Sequence, residues 1–334
     1  MKVAIIGCGR IGKKRAQALK SSSEDRLEIV CDINKERAEE LAREFECEYE
    51  TLWENVVSRP DIQIVINSSI NSVMEPITVA ALQAGKHVLC EKPLGRNELE
   101  ARSMVNAAGN NNVLLKTGFN HRFHPALWTA KQLLDEGKIG KCVTIRAAYG
   151  HGGRPGMESE WRSSKESCGG GELLDQGVHL IDLIGWFGGE IAEVYGKVET
   201  KFWSIEVEDN AFAILKTNQD VTAIFHVSWT NWRNIFSFEV FGSDGFLSIK
   251  GLGGNYGTES LEWGVRKLEG GKPDMKVFDF PAEDKSWEKE WREFRSAVIE
   301  QREPIGNGID GLKANMVVEA LYKSSRINKP VRLQ

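Results

Sequence analysis

No stretch of this 334-residue sequence stays apolar for long enough to cross a bilayer, so a membrane-spanning protein is not expected. The apolar opening Met1-Lys2-Val3-Ala4-Ile5-Ile6 breaks at Gly7 and runs on to Arg10, which is too short for the core of a signal peptide. A basic excess is missing too. With 43 Lys and Arg against 48 Asp and Glu, the net charge is -5, and neither nucleic acid nor an anionic membrane is expected as a partner. Any ligand must be recognised by local geometry. The six cysteines, Cys8, Cys31, Cys47, Cys90, Cys142 and Cys168, include no C-x-x-C pair. That excludes a disulfide framework and a zinc site, and it reads as reduced thiols in a cytoplasmic protein with no metal. There is no internal repeat, low-complexity tract or disordered linker.

What is present is a hydrophobic content of 41%, enough for a sizeable core, in a chain longer than one core usually serves. Two domains are expected, 1–120 and 121–334. In the first, short continuous apolar runs (3–6, 27–30, 62–66, 88–90, 113–117) alternate with helical periodicity (12–20, 35–44, 74–84, 97–110). Apolar runs of that kind suit strands covered on both faces, and the alternation predicts an α/β, doubly wound parallel sheet of the Rossmann type. In the second, helices near 124–136 and 173–187 accompany long alternating segments. Turn signals at 218–220, 243–245 and 269–271 cut the later ones into hairpins. This predicts an α+β domain with a large, mostly antiparallel open sheet. Along one strand Val221, Ala223, Phe225, Val227 and Trp229 share a side, and Thr222, Ile224, His226 and Ser228 share the other. The second face is only partly polar, which points to a homodimer or homotetramer formed through this sheet. The closing helices, 287–301 and 308–325, are amphipathic and are expected to pack back on both domains.

Gly7-Cys8-Gly9-Arg10-Ile11-Gly12 follows the first strand and opens the first helix, the context that gives a G-x-G-x-x-G match its meaning. Gly7 permits the tight turn, Gly9 lets a pyrophosphate approach the backbone, and Gly12 lets helix and strand pack closely. Asp32 ends the second strand about 20 residues after Gly12, where a carboxylate binds the adenosine ribose diol and repels a 2'-phosphate. NAD is therefore expected over NADP, although Lys35 and Arg37 follow closely. Further along, His87-Val88-Leu89-Cys90 ends in Glu91-Lys92-Pro93. That is a strand's carboxyl end, where open α/β sheets bind ligands, and Pro93 keeps Lys92 out of the helical region.

In the second domain Gly169-Gly170-Gly171 allows a close backbone approach to substrate or cofactor, and a helix is expected to follow it. Asp175 and His179 stand four apart on one face of that helix, with Asp182 three further on. A carboxylate beside an imidazole orients it and holds its tautomer, as general acid/base chemistry requires.

These motifs, in this order and over nearly the whole chain, resemble the glucose-fructose oxidoreductase/inositol dehydrogenase (Gfo/Idh/MocA) family. Gly118-Phe119-Asn120-His121-Arg122-Phe123 supports the likeness. The resemblance implies NAD(P)-dependent oxidation of a secondary hydroxyl of a sugar or cyclitol, or reduction of the ketone, with Lys92, Asp175 and His179 as the catalytic set. His179 is then the base, Lys92 steadies the developing oxyanion, Asp175 orients the pair, and Glu91 lies near the nicotinamide ribose. The chain departs from the family's third-strand turn, having Ser69-Ile70-Asn71 and then Met74, and cofactor contact is expected to persist at Ser69 and Asn71.

For the substrate, His151, Arg154, Trp161 and Arg162 precede the glycine run, and Asn120 and Arg122 join them as candidates for the pocket wall. Aromatic faces stack on sugar rings and arginine forks bind anions, so a nucleotide sugar, sugar phosphate or uronate is the expected substrate class. The competing readings are NAD-dependent glycosidic cleavage through transient oxidation, imine or dihydrodiol reduction, and a non-catalytic NAD-binding regulator.

Overall fold

A computed structural model describes residues 1–21 and 24–333. Residues group into two compact units. The first comprises Met1–Asn120, Glu166–Gly169 and Trp287–Asn315, and the second His121–Lys165, Gly170–Ser286 and Met316–Gln334.

The first unit holds a six-stranded parallel sheet built from β1 (Lys2–Ile6), β2 (Arg26–Cys31), β3 (Glu48–Glu50), β4 (Ile64–Asn67), β5 (His87–Cys90) and β6 (Leu115–Thr117), in the order β3-β2-β1-β4-β5-β6. Glu48–Glu50 carries alternate charges and no apolar run, which hid it from the sequence pattern. Glu91-Lys92-Pro93 therefore follows the fifth strand and not the fourth. The central strands are buried along almost their whole length, as strands covered on both faces must be. Between β1 and β4 the winding reverses, and Gly7 and Ser68 stand at that switch, joined by a hydrogen bond of 2.8 Å from the Ser68 hydroxyl to the Gly7 carbonyl.

Four helices cover this sheet: α1 (Arg10–Lys20), α2 (Lys35–Phe45), α4 (Asn71–Gln83) and α5 (Glu98–Asn111), with the short α3 (Trp53–Val57) after β3. Asn34 and Asn97 cap α2 and α5, each accepting from an N–H three residues on. The core joins Val3, Ile5, Leu19, Val30, Leu41, Ile64 and Leu89 to Trp291 and Phe294 from the late helix Ser286–Glu300. Burial of those two aromatics explains why a segment so far along the chain groups with the amino-terminal unit.

The second unit contains α6 (Pro125–Asp135), a π-helical turn at Leu173–Gly177 running into α8 (Val178–Gly188), and a nine-stranded sheet, while the short α7 (Lys165–Cys168) falls mostly in the first unit. Its strands are β7 (Cys142–Gly150), β8 (Ile191–Glu199), β9 (Asn210–Thr217), β10 (Thr222–Ser228), β11 (Ile235–Gly242), β12 (Gly245–Lys250), β13 (Glu259–Val265), β14 (Asp274–Phe280) and β15 (Val331–Arg332). They lie in the order β14-β13-β12-β11-β7-β10-β9-β8-β15, antiparallel except for the β10–β7 pairing. Val221, Ala223, Phe225, Val227 and Trp229 are all buried, as their alternation requires. On the other face Ile224 pairs with Ile214 and His226 with Phe212, and Phe212, Ile214 and Ile224 are exposed. Among the described residues no helix is long and apolar enough to cross a membrane.

Candidate active site

The glycine fingerprint is built around space that only glycine leaves. Gly7 has φ of +97°, and a Cβ there would come 2.5 Å from the Ser68 carbonyl carbon; one on Gly12 would come 1.9 Å from the Gly7 oxygen. A Cβ on Gly9 would meet nothing within 4 Å, so the chain leaves open space at that residue. Gly9 caps α1 without a side-chain hydrogen bond, and Arg10 and Ile11 open the helix behind it, offering its first amides to an anion. Asp32 stands at the end of β2. Its Oδ2 accepts the Cys8 N–H at 2.8 Å and its Oδ1 the Asn34 N–H at 2.9 Å, leaving each oxygen a lone pair for a ribose hydroxyl. Lys35 turns to Glu39 at 3.6 Å. This cradle fits a dinucleotide with a free ribose diol.

Other expected cofactor residues are occupied by the chain itself. Both the N–H and the hydroxyl of Ser69 donate to Asn67 Oδ1, at 3.2 and 2.7 Å. The Asn71 amide donates to the Cys168 carbonyl at 2.8 Å, a bond that holds the start of α4. Glu91 is buried against Arg15 from α1, whose Nε and Nη2 lie 2.6 and 2.5 Å from its Oε1, while Nη1 of the same arginine reaches Glu290 at 2.5 Å. Burial pushes the Glu91 carboxyl up, against the pull of Arg15. Placing Glu91 at the nicotinamide ribose overlooked this arginine; its carboxylate anchors the segment that carries Lys92, and Lys92 is half-buried with a cis bond to Pro93.

In the second unit Gly170 and Gly171 of the triple glycine serve packing. A Cβ on Gly170 would lie 2.1 Å from the Tyr322 hydroxyl oxygen, and one on Gly171 would lie 2.0 Å from the Glu208 carbonyl oxygen. The expected approach to a ligand is thus an approach to the protein's own chain. Glu208, whose carboxyl burial pushes up, accepts the Leu173 N–H at 3.1 Å and the Tyr322 hydroxyl at 2.8 Å, which fixes where the helix begins. The helix then opens with the π turn instead of a regular α turn, a feature often found at functional sites.

On that turn Asp175 is part-exposed, its Oδ2 3.8 Å from the Arg162 Nε, and His179, in the first turn of α8, is buried. Arg162 lies over the Trp161 ring at 4.3 Å. Around His179 stand His121, Tyr149 and, beyond Tyr149, Tyr256, whose hydroxyl accepts from Gln176 at 3.0 Å. Burial pushes the Tyr149 hydroxyl well up, so it keeps its proton and can donate a hydrogen bond.

The arginines expected to bind substrate have other tasks. Arg122 grips Asp182 through both ends of its fork, and both side chains are buried. Arg154, exposed, is held in the same bidentate way by Glu160. His151 Nδ1 accepts the Gly153 N–H at 2.9 Å, and Asn120 is buried on the turn that carries His121. Beside Trp161 lies a cleft of about 610 Å³ bordered by Glu158, Glu160 and Glu206, an acidic lining unsuited to an anion.

Comparison with known proteins decides the family. Residues 127–248 match the GFO/IDH/MocA C-terminal domain, and residues 1–119 match the oxidoreductase family domain with an NAD-binding Rossmann fold. The chain belongs to the Gfo/Idh/MocA family. It is an NAD-binding oxidoreductase, as its motifs imply. A levoglucosan dehydrogenase of Pseudarthrobacter phenanthrenivorans is 32% identical over 60% of this chain, which spans about half (54%) of that relative's length. The myo-inositol 2-dehydrogenase of Thermotoga maritima is 26% identical over 100% of this chain and 99% of its own. The solved structure of a levoglucosan dehydrogenase in complex with NADH shares the fold, with a TM-score of 0.92, 22% identity, and coverage of 100% and 99%.

Sequence reasoning missed Arg15, His121, Tyr149, Gln176 and Tyr256 as candidate functional residues. Arg15 sits in a basic helix start beside Lys13 and Lys14 and reads there as a solvated face. Tyr149 and Tyr256 are single aromatics in a strand and a glycine-rich loop, with no local signal. His121 had one, as the histidine inside Gly118–Phe123, and Gln176 stands between Asp175 and His179.

Proposed function

We propose that this NAD(P)-dependent sugar oxidoreductase oxidises a secondary hydroxyl of an uncharged sugar or cyclitol, or reduces the matching ketone, using NAD. The observation that carries the uncharged substrate is the bidentate Arg154–Glu160 pair: its fork is already filled by a carboxylate. Bound at the Gly7–Gly12 cradle, the dinucleotide supplies the hydride acceptor. His179 takes the hydroxyl proton, and Lys92 donates a hydrogen bond to the same oxygen, favouring its negative form. Asp175, with Arg162 close to its carboxylate, keeps this end of the helix charged and oriented. The Tyr149–Tyr256 ring pair suits the apolar face of a sugar ring. Asp32, together with Lys35 turned to Glu39, supports NAD over NADP.

The exposed Phe212, Ile214 and Ile224 on the nine-stranded sheet support pairing of two copies through that face. Among the described residues no cysteine forms a disulfide, which suits the reducing cytoplasm. The test is to mix the protein and NAD with myo-inositol, glucose and levoglucosan, and separately with glucose 6-phosphate, glucuronate and UDP-glucose. Stoichiometric NADH with a member of the first group is expected. NADH only with the second group would overturn the uncharged substrate, and NADH with none would overturn the reading for these classes.

A further inference from the structure

His121 lies on the turn Asn120–Phe123, and His179 in the first turn of α8. Their rings stack face to face, with centroids 3.6 Å apart and planes inclined by 15°. Both are buried, at 5% and 4% exposure. Other rings fix His121 in place: Tyr149 at 5.4 Å, and the edges of His124 at 5.6 Å and Phe236 at 6.0 Å. His124 is itself held, with Nδ1 3.0 Å from the buried Glu259 carboxylate. His121 therefore presents a fixed π face to His179.

A neutral aromatic face attracts a cation, most strongly where water is excluded. In the proposed oxidation His179 begins neutral. The substrate O–H bond breaks and its proton goes to the His179 nitrogen; the carbinol C–H pair leaves as hydride to NAD, and the carbonyl forms. The stack consequently strengthens as the reaction proceeds, which is the condition for raising kcat and not substrate binding. Two stacked imidazoliums would repel each other, so His121 is the neutral partner.

We propose that His121 is a positioning residue for the reaction, holding the His179 ring flat and stabilising the imidazolium formed there. The proposal rests on His179 being the base. It is tested with His121→Ala, His121→Phe and His179→Asn in the full chain. In cofactor-free protein, the His179 Hε1 proton signal should be shielded by the stacked ring. His121→Ala should move it downfield and His121→Phe should keep it; an unmoved signal in the alanine variant overturns the stack.

Turnover is then measured with the uncharged sugar that NAD oxidises fastest. His121→Ala should lower kcat roughly tenfold, about 1.4 kcal/mol, with KM for sugar and NAD nearly unchanged, and His121→Phe should restore kcat to within about threefold. A phenylalanine variant as slow as the alanine one, or an effect confined to KM, overturns the proposal. Full turnover by His179→Asn instead sinks the assignment of the base, an outcome separate from the NMR result.

Discussion

Arg122 holds Asp182 by two parallel hydrogen bonds, Nε to Oδ2 at 2.9 Å and Nη2 to Oδ1 at 2.6 Å, one turn beyond His179 on α8. Both side chains are buried, so removing one partner strands a charge out of water. Arg122→Ala is expected to destabilise the protein by about 3–5 kcal/mol, read as a lower denaturation midpoint in urea. Replacing both residues by Met and Leu should recover much of that loss. A single variant as stable as the parent would show that the pair does not anchor the helix.

Arg154 and Glu160 neutralise each other at the surface. An exposed pair contributes about 0–1 kcal/mol, so Arg154→Ala should leave the urea midpoint nearly unchanged. It should also leave KM for an uncharged sugar as it was. A large rise in KM would restore Arg154 to the substrate site.

Asp32 is proposed to set cofactor choice, through oxygens that also hold the Cys8 and Asn34 N–H groups. Losing a carboxylate hydrogen bond costs about 1.5–3 kcal/mol, so Asp32→Ala should weaken NAD binding by roughly tenfold or more in a fluorescence titration. NADP should be affected less, since the repulsion of its 2'-phosphate disappears. Equal losses for both nucleotides would argue against a ribose contact.

Asp209 makes part of the stability pH-dependent. Burial pushes its carboxyl up, but hydrogen bonds from the Asn210 amide and from the N–H groups of Trp203, Lys201 and Phe202 outweigh it and bring it below the usual range. A depressed folded value stabilises the native state above the unfolded carboxyl pKa, about 3.9, and that contribution fades as pH falls below it. Urea midpoints from pH 7 to pH 3 should therefore drop more steeply in the parent than in Asp209→Asn. Parallel curves would refute the role of Asp209.

How much of this was legible in the sequence depended on whether the signal was local. Continuous apolar runs marked β1, β4 and β5, and strict alternation from Val221 to Trp229 marked both the strand β10 and its buried face. Glu48–Glu50 is edge structure made by pairing with β2, so its own residues carry no pattern. The π turn at Leu173–Gly177 escaped because Leu-Leu-Asp-Gln-Gly has the composition of an ordinary helix, and its geometry is fixed by Glu208 from a distant strand end. Gly7 and Gly12 were understood correctly because strand and helix flank them. Gly170 and Gly171 were misread because their neighbours, Tyr322 and Glu208, come from far along the chain. Arginines misled for a similar reason: a guanidinium announces an anion, and only the fold shows whether that anion is already part of the protein.

The central claim is that His179 accepts the substrate proton at a site served by NAD. The most direct measurement compares His179→Asn with the parent for kcat of sugar-dependent NADH formation and for the NAD dissociation constant. The account predicts a fall in kcat of about a hundredfold or more, the usual contribution of a general base, with NAD affinity unchanged. Turnover within a few-fold of the parent would contradict it.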